Sequence, residues 1–211
     1  MIDINDRRSY LAPFAGKEEA ALKEAMEARK LEVDLYWRRA SYFWTLSTVA
    51  FTGFFALQAS EKAPPASLVT VSCSGFLFAL AWLLASRGAK HWLANWEAQV
   101  EMLEDSKIGP LFKTNIKAAG SIWNPFASYP FSVTKINQLL SLFLTVVWIV
   151  LIVQSCNHVG LSFKGTFTAA GAVLMLTAIF AVLMLTLERF PLGCILFLVR
   201  VKLVFALEVT N

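Results

Sequence analysis

YWRRASYFWTLSTVAFTGFFALQASEKAPPASLVTVSCSGFLFALAWLLASRGAKHWLANWEAQVEMLED, residues 36–105, decides the fold. It holds two apolar blocks, 42–59 and 67–85, that contain no Asp, Glu, Lys, Arg or His. At about 1.5 Å of rise per residue, each block as a helix nearly spans a hydrocarbon core of roughly 30 Å. Between them EKAPPA, with Pro64 and Pro65 in tandem, turns the chain straight back, and arginines close both outer ends. The stretch reads as a membrane hairpin.

Composition extends that reading to the whole chain. Of 211 residues, 57% are hydrophobic and only 16% charged, and the mean hydropathy is +0.57. Soluble domains carry roughly 25% charged residues. The apolar residues also come in long runs, where a soluble core would disperse them at helical or strand period. An integral membrane protein is expected. The net charge of +4 lies in basic residues beside the spans, where it sets orientation, and does not form a nucleic-acid footprint. No apolar run with a small-residue cleavage site precedes residue 40, so the first block is expected to act as an uncleaved signal anchor. Cys73, Cys156 and Cys194 are far apart, with no CxxC and no paired histidine, and read as small buried residues.

Upstream of the hairpin, 1–16 contains Pro13 and Gly16 and reads as a loosely ordered arm. From Lys17, Ala, Glu, Lys, Leu and Arg dominate, and neither Gly nor Pro occurs before Gly53, so a stalk helix is predicted to run unbroken into the first span. Along that span Ser41, Thr45, Thr48 and Thr52 recur at helical spacing and form a hydroxyl stripe. Such a stripe serves helix packing in most settings and lines a pore in a few. Ser47, Ala50, Gly53 and Ala56 make a second line of small residues, and Ser72, Gly75 and Ala79 supply small positions on the second span. After that span, Leu93, Trp96, Val100 and Leu103 form an apolar stripe predicted to pack on the stalk as an antiparallel cytosolic hairpin. Glu97, Glu101 and Glu104 read as a solvated face of the same helix.

Residues 107–134, with Pro110, Gly120, Pro125 and Pro130, read as a linker held by its aromatic side chains. Thr134 or Ser132 caps a third span over about 136–156, whose Asn137, Gln138, Ser141 and Thr145 are expected to hydrogen-bond to neighbouring helices. A fourth span occupies 168–187. The tail alternates: Val199, Val201, Leu203 and Phe205 share one face of a strand, while Arg200 and Lys202 share the other. As a membrane helix it would bury those two cations at about 2.5 to 3.5 kcal/mol each, so a cytosolic β-strand seeking an oligomeric partner is preferred.

The fold class is therefore an all-α polytopic membrane protein. A cytosolic arm and stalk (1–40) leads into a first transmembrane hairpin (41–87), a cytosolic helix and linker (88–134), a second hairpin (135–188) and a cytosolic tail (189–211). Lys62 and Lys164 alone among the basic residues fall on outer loops, which places both termini in the cytoplasm.

Three of these segments carry a resemblance. YWRRASYFW at the first span, RGAKHWLANWEAQVEMLED with KIGPLFKT after the second, and FSVTKINQLLS at the third resemble the RipA family of octameric membrane proteins of bacterial inner membranes. The resemblance covers about half the chain. It implies a homo-octamer in the bacterial inner membrane, in a family without a defined biochemical activity and with no catalytic or ligand positions to carry over.

For function, GxSxG, HExxH, GxxxxGK[ST] and GxGxxG are all missing, and His91 and His158 fall on opposite sides of the membrane. No enzyme is expected, and no catalytic residue, metal ligand or cofactor is identified. None of the four spans carries the buried charge of an ion relay. The leading expectation is a homo-oligomeric membrane scaffold whose partners are the lipid bilayer and further copies of itself. An oligomeric channel or membrane-perturbing effector with a hydroxyl-lined first span stands second.

Overall fold

The computed structural model describes residues 10–114, 129–159 and 169–187. Four helices account for most of them: α1, Glu18–Ala59; α2, Pro65–Leu103; α3, Val133–Val159; and α4, Ala169–Leu187. All four are long and apolar enough to cross a membrane. Among the described residues there is no strand, so the protein is an all-helical, multi-pass membrane protein. The strand expected over Val199, Val201, Leu203 and Phe205 lies outside the described residues, as do Trp123 and Phe126 of the linker.

Local chemistry sets the helix ends. Glu18 and Glu19 occupy the first turn of α1, where carboxylates favour the positive end of the helix dipole. α1 then runs for 42 residues, about 63 Å, twice what the hydrocarbon core needs, so stalk and span are one continuous helix. α2 starts on Pro65, whose missing N–H costs nothing at a first helical position. At α3 the cap is Ser132, whose Oγ accepts the Lys135 N–H at 3.4 Å.

The chain divides into two compact units. The first takes Met1–Trp44 and Ala85–Ser141, and the second takes Thr45–Leu84 and Leu142–Asn211.

In the first unit the stalk part of α1 and the late part of α2 bury Leu22, Ala25, Val100 and Leu103 together. That is the helical hairpin the stripe predicts, in part only: Leu93 and Trp96 are half-buried and lie outside this core. The arm corrects the sequence reading. Tyr10 belongs to the same core, and Ala12–Phe14 forms a 3-10 turn that brings Phe14 onto the Tyr10 ring at 5.1 Å. Pro13 sits inside that turn, so a residue taken as a helix breaker here shapes a docked segment.

In the second unit the small-residue lines face inward except at Ala56, which is exposed. Ala50, Phe54, Ala79 and Trp148 form one buried cluster, and Val69, Cys73 and Ala170 another. Cys73 and Cys156 are free thiols, the first buried and the second half-buried. Cys194 lies outside the described residues.

Candidate functional site

Three helices meet in the first unit where the stalk gives way to apolar sequence. Tyr36 of α1, Ser86 of α2 and Asn137 of α3 form a polar node. The Asn137 amide donates to the Tyr36 hydroxyl at 2.6 Å and reaches the Ser86 Oγ at 3.4 Å. Beside it the Gln138 Nε2 donates to the Ser86 carbonyl at 3.2 Å. Asn137 and Ser86 are buried. An amide unmatched at such a depth would cost several kcal/mol, roughly 1–3 in proteins and more in hydrocarbon, so the node fixes the register of the three helices. Further along α3, Ser141 and Thr145 are also buried.

At the other end of this unit α2 finishes on a buried carboxylate. Glu104 has 0% of its surface exposed. Its Oε2 and Oε1 accept the backbone N–H groups of Phe112 and Lys113 at 2.7 and 3.2 Å. Its own carbonyl accepts from Lys107, Ile108 and Gly109 at 3.0, 2.9 and 3.1 Å. The return is tight enough to need Gly109 at φ +77°, in the left-handed region. The solvated face expected for Glu97, Glu101 and Glu104 is thus overturned at Glu104, which clasps the 107–114 loop, while Glu97 stays half-exposed and pairs with Arg29 at 3.2 Å. Arg29 in turn lies 5.4 Å from the centre of the Phe112 ring. A periodicity argument could not find this, because the partners of Glu104 are backbone groups of a loop eight and nine residues on. Tyr10 adds a weak bond to Gln99 at 3.4 Å, and burial pushes its phenol pKa up.

The hydroxyl stripe of α1 has the opposite placement. Ser41, Thr45, Thr48 and Thr52 are all exposed on the chain. Ser41 donates to the Trp37 carbonyl at 3.0 Å and Thr52 to the Thr48 carbonyl at 2.9 Å. Back-bonding of this kind satisfies a hydroxyl within its own helix and leaves its oxygen available outward. In the second unit Ser47 and Ala50 are buried, and a Cβ added at Gly53 would make ordinary contact with Val71 at 3.9 Å.

The core of the second unit is built on Trp148, wholly buried, stacked on Phe51 at 4.4 Å and edge-on to Phe54 at 6.1 Å. Its indole lies directly over Gly75. Among the described residues no group of three His, Cys, Asp or Glu side chains is gathered closely enough to hold a metal ion. What the arrangement offers chemically is packing, a polar node joining three helices and an outward hydroxyl face.

Comparison with known proteins bears on the same helices. Neither a curated protein nor a solved structure matches the chain. A family model described as the octameric membrane protein family (8xMP) matches residues 19–157, which run from the first turn of α1 to the end of α3. That match takes in the stalk, the node, the Glu104 clasp and Trp148, and covers well over half of the sequence. This chain belongs to the octameric membrane protein family, 8xMP.

Proposed function

We propose that this protein is a non-enzymatic, homo-oligomeric scaffold that assembles as an octamer in the bacterial inner membrane, with both termini in the cytoplasm. The observation that carries the reading is the outward face of α1. Its most apolar window has a mean hydropathy of 1.2, against 2.1, 2.4 and 2.3 for the other three helices, yet only 22% of that window is buried within the chain. A span this rich in hydroxyls gains by meeting another helix instead of lipid, through close packing and interhelical hydrogen bonds of about 0.6 kcal/mol each. The family's description as octameric supports a second copy as that partner. The mass of the protein solubilised in mild detergent tests it. Eight chains of 23.5 kDa per particle are expected, and a monomer removes the reading.

A second reading, an oligomeric channel, draws on the same exposed Ser41, Thr45, Thr48 and Thr52, since a ring of hydroxyls can line a water-filled axis without charge. Ion flux into liposomes separates the two, with native protein set against a Thr45→Val, Thr48→Val, Thr52→Val variant. Flux absent from both supports the scaffold. Flux lost only in the variant supports the channel, and equal flux in both removes this stripe as its lining.

A further inference from the structure

The second unit leaves one amide side chain unmatched. Gln154 lies in α3, five residues before that helix ends at Val159, and is exposed. Among the described residues it has no hydrogen-bond partner. The hydroxyls of the same unit satisfy themselves within their own helices: Ser155 donates to the Leu151 carbonyl at 2.7 Å, Thr177 to Val173 at 2.8 Å and Thr70 to Ala66 at 3.0 Å. A glutamine brings two donors and an acceptor, and hydrocarbon makes leaving them unpaired costly. Helix side chains tilt toward the N-terminus of their helix, which for Gln154 is toward the middle of the span and away from the nearer headgroups. Val150, Val153, Gln154 and Asn157 line a shallow groove of about 420 Å³ on this face, and both valines are more than half exposed.

α1 turns a complementary group outward at a similar depth. As the first and third crossings of one chain, α1 and α3 run the same way, and Trp148 of α3 meets Phe51 and Phe54 of α1. Gln154 stands six residues, about 9 Å, beyond Trp148. Its backward lean returns the amide to about the turn 52–56 of α1. On that turn Thr52 and Ala56 are both exposed, and a spacing of four puts them on one face. Thr52 donates its hydrogen to the Thr48 carbonyl at 2.9 Å and keeps an oxygen that can accept. Ala56, the member of the small-residue line that turns outward, lets another helix come close.

We infer that neighbouring copies meet here: the Gln154 face of α3 in one copy seats on the Thr52–Ala56 notch of α1 in the next, and the Gln154 Nε2–H donates to the Thr52 hydroxyl oxygen. Two different faces at one depth make a head-to-tail contact, which repeated about an axis along the membrane normal closes a ring. Gln154 paired with itself would stop at a dimer, and the family's description as octameric favours the ring. Thr70 of α2 is also exposed, but α2 is the most covered of the four helices, with 39% of its apolar window buried against 22% for α1. The inference rests on the homo-oligomeric reading above and names the surfaces through which the copies touch.

The test uses the full chain in membranes, with Cys73, Cys156 and Cys194 replaced by alanine. Thr52→Cys and Gln154→Cys are combined in that chain and oxidised with a copper catalyst. A non-reducing denaturing gel should then show a ladder of cross-linked copies, and either substitution alone should leave monomers. No ladder from the pair, a dimer from Gln154→Cys alone, or a stronger ladder from Thr70→Cys combined with Gln154→Cys overturns the inference. The mass of the cysteine-free protein in mild detergent keeps the two claims apart. An octamer that gives no ladder removes this contact alone, whereas a monomer removes the oligomeric reading beneath it. In the otherwise native protein Gln154→Leu, which keeps the span apolar, should weaken each contact about threefold and at most about twentyfold, read as dissociation on dilution in detergent. Dissociation unchanged by that substitution overturns the inference as well.

Discussion

Gly75 lies so close under the indole of Trp148 that a methyl group on Gly75 would overlap three atoms of the ring. Nothing in the backbone of Gly75 demands glycine, since it sits within α2. The requirement is space. Gly75→Ala therefore has to push Trp148 away from Phe51 and Phe54, an overpacking change of about 1–3 kcal/mol set against the roughly 1 kcal/mol that alanine gains in a helix. Gly75→Val should cost more. Thermal unfolding in detergent is expected to fall in the order native, Gly75→Ala, Gly75→Val, while Gly53→Ala, with only Val71 nearby at 3.9 Å, should leave it level or raise it.

The Glu104 clasp gives a second prediction. Glu104→Ala strips two part-buried backbone N–H groups of a charged acceptor, at about 1 kcal/mol or more for each bond lost. Hydrogen exchange at Phe112 and Lys113 should accelerate much more than exchange at Val100. Uniform acceleration across the unit would mean that Glu104 holds the whole hairpin and not this loop. Gly109→Ala, which forces a side chain into the left-handed region, should reproduce part of the effect.

Asn137 and Tyr36 are predicted to be energetically coupled. In a double-mutant cycle of Asn137→Ala and Tyr36→Phe, the 2.6 Å bond should appear as a coupling of about 0.6 kcal/mol, and at most about 1.7. Additive effects would show that the two residues meet without stabilising one another.

Tyr10 links stability to pH. Burial raises its phenol pKa in the folded protein, so the folded state favours the neutral form. That contribution is complete below the unfolded value, about 10, and is lost as pH rises through the raised folded value. Unfolding of the native protein should therefore turn easier in strong alkali, and Tyr10→Phe should lessen that dependence while leaving stability near pH 7 within about 1 kcal/mol. Tyr10→Ala, which also deletes the ring from a core of Leu22, Ala25, Val100 and Leu103, should cost about 3 kcal/mol.

How much of this was legible beforehand follows from the kind of signal each feature leaves. Long charge-free runs and tandem prolines announce α1, α2 and the turn between them, because lipid imposes its demand on every residue of a span. Ser132 was one of two candidate caps, with Thr134, and Gly75 one of three small positions on the second span. Glu104 was misread for want of any such signal. An acid on a polar helix face is solvated in most proteins, and its burial depends on a loop folding back, which leaves no period in the sequence. Tyr10 was hidden by Pro13 and Gly16, which mark irregular backbone without saying whether it docks. Which aromatic ring would fill the space over Gly75 was beyond reach, as seven tryptophans offered themselves and only packing chooses Trp148.

The central claim, that α2 crosses the bilayer, has a direct test. On a background with Cys73, Cys156 and Cys194 replaced by alanine, single cysteines at Lys62→Cys and Ala98→Cys lie before and near the end of α2, both at exposed positions. A membrane-impermeant maleimide added to intact cells should label position 62 at once and position 98 only after permeabilisation. Labelling of both to the same extent in intact cells would place the two ends of α2 on one side and contradict the account.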